Sequence, residues 1–193
     1  DYDQAAALFL KIMRERPDAG LNEEVYAWTG QWFFDQQAWE KSAETFDALL
    51  AAVPAYPYAD QVRLKIAECY EQSGAGDKAL QIYETIAESS TTTAVSTEAR
   101  WHMAKIYEVR DDLAQAFQWY EAAANSNTGD IAARAQFQLG VLHEKQEAWE
   151  KAARSFMAVP ILFLHEELTP EALWRAGQCY EKAGRAKDAG KAY

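Results

Sequence analysis

The feature that most constrains this chain is an internal period of 36–37 residues. Small residues stand at Gly30, Ala67, Ala104, Gly140 and Gly177, at intervals of 37, 37, 36 and 37. Three residues after each come Phe33, Tyr70, Tyr107, His143 and Tyr180. A second series keeps the same beat: Ala5, Ser42, Ala79, Ala116, Ala152 and Ala189. Four residues after each of these sits an aromatic, namely Phe9, Phe46, Tyr83, Tyr120, Phe156 and Tyr193. Ile12, Leu49, Ile86, Ala123 and Val159 follow three further on. A period this short marks a unit that cannot bury its apolar face alone and must stack on its neighbours.

Within one period the spacing predicts a helical hairpin. Ile66, Ala67 and Tyr70, then Ala79, Tyr83 and Ile86, recur at three and four residues, which places them on one face of a helix. Between them, Ser73-Gly74-Ala75-Gly76-Asp77 supplies the helix stop and the next start. The small residues let two helix backbones approach closely, and the aromatics fill the space beside them. The expected segments are 1–18 (a second helix without its partner), 22–54, 58–90, 94–127, 129–164 and 169–193, the last incomplete. A longer echo overlies them: Gln37-Ala38-Trp39-Glu40-Lys41 returns as Glu147-Ala148-Trp149-Glu150-Lys151, 110 residues later.

A small residue, an aromatic three on, a short turn, then Ala-x-x-x-aromatic-x-x-apolar and often Pro: this pattern resembles the tetratricopeptide repeat family. It appears as Ala5/Phe9/Ile12/Pro17 and Ser42/Phe46/Leu49/Pro54. The family's early Trp is absent; Tyr26, Arg63, Arg100, Gln136 and Leu173 hold its place, and the aromatic comes one residue later as Trp101, Phe137 and Trp174. The resemblance implies an all-α, right-handed solenoid of about five stacked antiparallel hairpins, partial at both ends. The long period and the junction Pro54-Ala55-Tyr56-Pro57-Tyr58-Ala59 are similar to a subclass of bacterial envelope proteins, including outer-membrane assembly lipoproteins and the Tol-Pal coordinator. That likeness implies a periplasmic or envelope location. The chain opens on a second helix and stops within another, so flanking repeats or neighbouring subunits are expected to cover the ends.

Composition narrows the function classes. The formal net charge is -11, a surface that repels phosphate backbones and makes nucleic acid an unsuitable partner. No run nears the about 18 consecutive apolar residues that a membrane-spanning helix needs. Cys69 and Cys179 are too few for a disulfide framework or a zinc site, and their equivalent places three hairpins apart keep them from pairing. His143-Glu144-Lys145-Gln146-Glu147 is similar to the zinc-protease helix but has Glu147 where the second His belongs, and His143 occupies an aromatic slot. Gly74-Ala75-Gly76 is a helix–helix turn, not a phosphate loop. The reading is a protein that binds and does not catalyse, with no catalytic residue, metal or cofactor.

In the family, the first helix of each hairpin lines a concave groove. The resemblance carries that role onto Leu64, Glu68 and Glu71; Trp101, Lys105 and Glu108; Arg134, Phe137, Val141 and Glu144; and Trp174, Gln178 and Glu181. Aromatic bases are followed by a ladder of carboxylates, Glu71, Glu108, Glu144 and Glu181. A groove of this kind is expected to take a basic peptide or helix with an apolar anchor. On a solvated face, Lys145, Lys182 and Arg110 would instead screen the ladder. The carboxylate-terminus clamp of chaperone-binding members has no counterpart, since Lys65, Lys105, Arg134 and Arg175 alternate with Glu and no Asn joins them. Two alternatives stand beside the groove: an envelope subunit that docks through its edges and ends, and a glycan-handling module with Trp101, Phe137 and Trp174 as platforms. The apolar run Ile161–Leu164, after Pro160, is expected to plug the core between repeats, or else to form an exposed patch for a partner.

Overall fold

The computed structural model describes residues 1–126 and 129–193, and every regular element among them is helical. A lone helix α1 (Tyr2–Glu15) precedes two hairpins, α2 (Glu23–Asp35) with α3 (Trp39–Ala52) and α4 (Ala59–Gln72) with α5 (Gly76–Ser89). Next come α6 (Thr93–Val109) with α7 (Leu113–Ala124), and α8 (Gly129–Lys145) with α9 (Trp149–Ala158). A π-helical turn, Val159–Phe163, extends α9, and α10 (Thr169–Lys182) with the short α11 (Ala186–Ala192) completes the chain. The fold is an α-solenoid of helical hairpins. Its residues form two compact units, Asp1–Ser90 and Thr91–Tyr193. The expected segment end at residue 127 lies outside the described residues.

Every hairpin turns on the same backbone device. The second residue after the first helix is left-handed in all five: Gln37 (φ 57°), Gly74 (83°), Asp111 (59°), Glu147 (55°) and Gly184 (72°). Its N–H donates three residues back, and the next N–H donates five back, as in Asp111 to Glu108 and Asp112 to Tyr107, both at 3.0 Å. These bonds satisfy carbonyls that the helix end would leave bare. Glycine takes this conformation freely, while a side chain adds about 1–2 kcal/mol of strain. Three of the five turns carry that strain at Gln37, Asp111 and Glu147.

The small–aromatic register of the sequence becomes direct packing. A β-carbon added at Gly30 would lie 2.6 Å from the Phe46 ring, at Gly140 2.6 Å from Phe156, and at Gly177 2.4 Å from Tyr193. Each aromatic of a second helix thus lies on the backbone of the first helix sixteen residues earlier. Ser42, in the small slot of α3, is fully buried and donates its hydroxyl to the Gly30 carbonyl at 2.9 Å. Tyr83, Phe156 and Tyr120 are the largest fully buried side chains. Burying a large apolar side chain contributes about 1.5–3 kcal/mol, so each of these rings is a large contributor to the hairpin that holds it.

The first unit packs Met13, Tyr26, Phe46, Leu49, Val62 and Ile66 into one core. The second unit has two clusters, one on Tyr120, Leu139 and Leu142 and one on Phe156, Val159 and Cys179. Pro160 lacks the N–H that would continue α9, and the chain widens there into the π turn. The expectation that Ile161–Leu164 plugs the core is corrected here. Val159 is buried, but Ile161, Leu162 and Leu164 are 66%, 60% and 80% exposed, because the π turn and a left-handed Leu164 (φ 50°) point them outward. Among the described residues, no helix is long and apolar enough to cross a membrane.

Candidate functional site

The first helices carry the predicted stripe, and its members differ in accessibility. Leu64 is buried, at 4% exposure. Glu68, Glu71, Trp101, Lys105, Glu108, Phe137, Val141, Glu144 and Gln178 are half-buried, while Arg134, Trp174 and Glu181 are exposed.

The carboxylate ladder is engaged inside the protein. The Tyr83 hydroxyl donates to Glu71 Oε2 at 2.9 Å, and the Tyr120 hydroxyl to Glu108 Oε2 at 2.9 Å. Each pair is twelve residues apart and joins the two helices of one hairpin. Glu108 also accepts from Gln138 Nε2 at 3.1 Å and from Lys145 Nζ at 2.7 Å, both on α8. Burial alone would raise its pKa. The bonds from Lys145, Gln138 and Tyr120 outweigh that and hold it below the ordinary carboxylate value.

Glu144 has Phe156, not Tyr, across from it and finds other partners. Arg175 Nη1 donates to it at 3.1 Å, and the Cys179 thiol lies 3.8 Å from its other oxygen. Burial first, and the Glu144 carboxylate second, push the Cys179 thiol up to about 11. Cys69 and Cys179 are both buried free thiols. Lys145 therefore screens the ladder as expected, whereas Lys182 lies over the Trp149 ring, 4.2 Å from its centre. The hydroxyl–carboxylate bonds were not anticipated, although the twelve-residue Glu/Tyr spacing was open to view.

Two of the three predicted platforms are covered on one side. Trp101 packs against Tyr120 with ring centres 5.3 Å apart, and Phe137 against Phe156 at 5.1 Å with the Arg175 guanidinium 5.5 Å from its centre. Trp174 is 54% exposed. His143 fills its aromatic slot, half-buried, with its ring 4.7 Å from Phe117.

One cleft of about 440 Å³ gathers part of the stripe within the second unit. Trp101, Lys105, Glu108 and Val109 come from α6, and Gln138 and Lys145 from α8, with Tyr120 of α7 behind them. Val109, at 88% exposure, is an aliphatic side chain held open at its rim. Its shape offers an apolar floor with two ammonium groups and one internally satisfied carboxylate.

Residues 30–92 and 171–193 each match the tetratricopeptide repeat family. Among solved structures, BtubC (BKLC) from P. vanneervenii is similar over 98% of this chain and 84% of its own, with 16% identity and a TM-score of 0.68. MamA protein is similar over 88% and 87%, with 18% identity and a TM-score of 0.62. YrrB, described as a TPR protein with an unusual peptide-binding site, is similar over 97% and 89%, with 17% identity and a TM-score of 0.60. No curated protein matches the sequence. The two family matches and the shared fold support the tetratricopeptide repeat reading.

Proposed function

We propose that this chain is a non-catalytic protein-interaction scaffold whose first helices hold a peptide or helix of a partner. The observation that carries the reading is the cleft between α6 and α8, where Trp101 and Val109 offer apolar surface beside Lys105, Lys145 and Gln138. Helical-repeat solenoids use such surfaces for extended partners. YrrB, alike in fold, has a peptide-binding site by its description. The apolar anchor expected of the partner fits this cleft. The basic charge expected of it rested on a free carboxylate row, and Glu108 is satisfied by three donors, so the cleft favours an anchor carrying its own hydrogen-bond acceptors.

A displayed library of random peptides, selected on the purified protein, tests this. Enriched peptides should lose about tenfold in affinity on Val109→Asp, a change at an exposed position that leaves the melting temperature in place. Trp101→Phe should weaken them less. Selected peptides indifferent to both changes would remove the cleft from consideration.

A second reading, docking through edges and ends as a subunit of an envelope or secretion assembly, is favoured by one observation. On the first unit, Tyr2 and Leu8 of α1 are 68% and 56% exposed, and Tyr2 joins Trp28 and Trp32 in an aromatic cluster. A glycan-handling groove gains less support, because Trp101 and Phe137 each spend a face on their own hairpin.

A further inference from the structure

The turn that leaves α9 departs from every other hairpin. Counting back 36, 73 and 110 residues, Ile161 corresponds to Asn125, Glu88 and Ala51. Leu162 corresponds to Ser126, Ser89 and Ala52, and Leu164 to Thr128, Thr91 and Pro54. Where three repeats place polar residues, alanine or proline, the fourth places three large aliphatics, each at least 60% exposed. Lone exposed aliphatics are ordinary; three within four residues are not.

The segment is held in place. The Leu168 N–H donates to His165 Nδ1 at 3.3 Å, which leaves the proton on Nε2, and that nitrogen meets Asp130 Oδ1 of α8 at 2.5 Å. Arg134 Nε donates to the other Asp130 oxygen at 2.5 Å, and the Thr169 hydroxyl to the His165 carbonyl at 2.6 Å. Thr169 is thereby spent on the turn and does not cap α10. These bonds define one wall of a cleft of about 720 Å³, whose other wall carries Leu162, Phe163 and Leu164. Asp130, Glu166 and Glu167 line it; Arg134, the one cation among its described lining residues, pairs with Asp130 and lies 3.8 Å from Glu167, so the wall keeps a surplus of two negative charges, with Glu166 outside those pairs, on a chain already at -11.

We infer that the Ile161–Leu164 turn and the cleft beside it form a second docking surface, one that takes a protein segment bearing apolar anchors between Lys or Arg residues. The aliphatics supply burial and the acidic wall selects the charge of what flanks it. The same acidity repels anionic lipid headgroups and a second copy of this acidic chain. The surface lies at the junction between hairpins, apart from the Trp101 cleft, and stands or falls independently of it.

The probe is a short fluorescent amphipathic helix of leucine and lysine, titrated by anisotropy, beside a twin with glutamate for lysine. Wild-type protein should bind the lysine helix about tenfold more tightly than the glutamate twin. The double variant Ile161→Ser, Leu164→Gly should bind it about tenfold more weakly than wild type. Leu164→Gly suits the left-handed backbone, so the fold is kept, and Leu164→Gly alone should give part of the loss. Val109→Asp should leave this binding unchanged. Equal binding by wild type and the double variant, equal binding of the two helices, or no binding would overturn the inference. So would dimerisation or anionic-vesicle binding that the double variant abolishes, since either names a different occupant.

Discussion

The Phe156 ring lies against the backbone of Gly140, so that a β-carbon there would stand 2.6 Å from ring atoms Cδ1 and Cε1. The absence of a side chain on α8 is what lets α9 approach. Helix propensity favours alanine over glycine by about 1 kcal/mol, and overpacking costs about 1–3 kcal/mol. Gly140→Ala should therefore lower stability by up to about 2 kcal/mol in urea denaturation. Gly190→Ala, with open space at its position, should not. A Gly140→Ala protein as stable as wild type would show that the ring can retreat, as Ala67 and Ala104 in the same slot require of Tyr83 and Tyr120.

Tyr120 and Glu108 should behave as one unit. Tyr120→Phe removes one of three donors and should cost about 1 kcal/mol. With Glu108→Gln already present, the same change should cost less, because a double-mutant cycle isolates their coupling. The sign of the pH effect is fixed by the lowered folded-state pKa. The contribution of Glu108 is full above the ordinary carboxylate pKa of about 4.3 and is lost as pH falls through the lower folded value. Glu108→Lys should lower the melting temperature at pH 7, which a freely solvated carboxylate would not do. Additive single-mutant costs would remove the coupling.

Glu147 holds a left-handed turn in an exposed position. Glycine relieves that strain at some cost in chain entropy, and Glu147→Gly should raise stability by about 1 kcal/mol. Asp111→Gly should follow it less fully, since Asp is the more tolerant of this conformation. Calorimetry showing both variants destabilised would mean the turn is not strained.

His143 should make the fold sensitive to mild acid. Burial first, then Lys151, lowers its pKa, Glu121 opposes them, and its Nδ1 is buried with no hydrogen-bond partner among the described residues. The unfolded chain takes up a proton near pH 6.5 and the folded one only at lower pH, so stability declines as pH falls from about 6.5 toward the folded value. His143→Phe restores the aromatic of the other repeats and should raise the melting temperature, more at pH 5.5 than at pH 7.5. A shift independent of pH would assign the gain to packing alone.

The hairpins, their turns and the small–aromatic contacts were legible in the sequence because each follows from helical spacing repeated at one period. The candidate site was less so. Spacing puts Glu108 on a face of α6 but does not say whether its carboxylate leans to solvent or across to Tyr120. Leu64 shares the stripe of Trp101, yet its side chain is buried. At Ile161–Leu164 the pattern looked like core because apolar residues at a helix end usually are. One missing N–H at Pro160 widened the helix and reversed the direction of three side chains.

The tyrosine–carboxylate pairs also bear on how such an array can diverge after duplication. In the α2–α3 hairpin the corresponding positions hold Phe34 and Phe46, both in the core of the first unit. Passing from that pair to Glu and Tyr one substitution at a time means a generation that carries either a half-buried carboxylate or a buried hydroxyl with nothing to bond, at about 1–3 kcal/mol. A hairpin that holds either pair is thereby separated from the other by an unfavourable intermediate. In the Glu144–Phe156 hairpin the carboxylate has no tyrosine across from it, and an arginine from the following repeat supplies a donor instead.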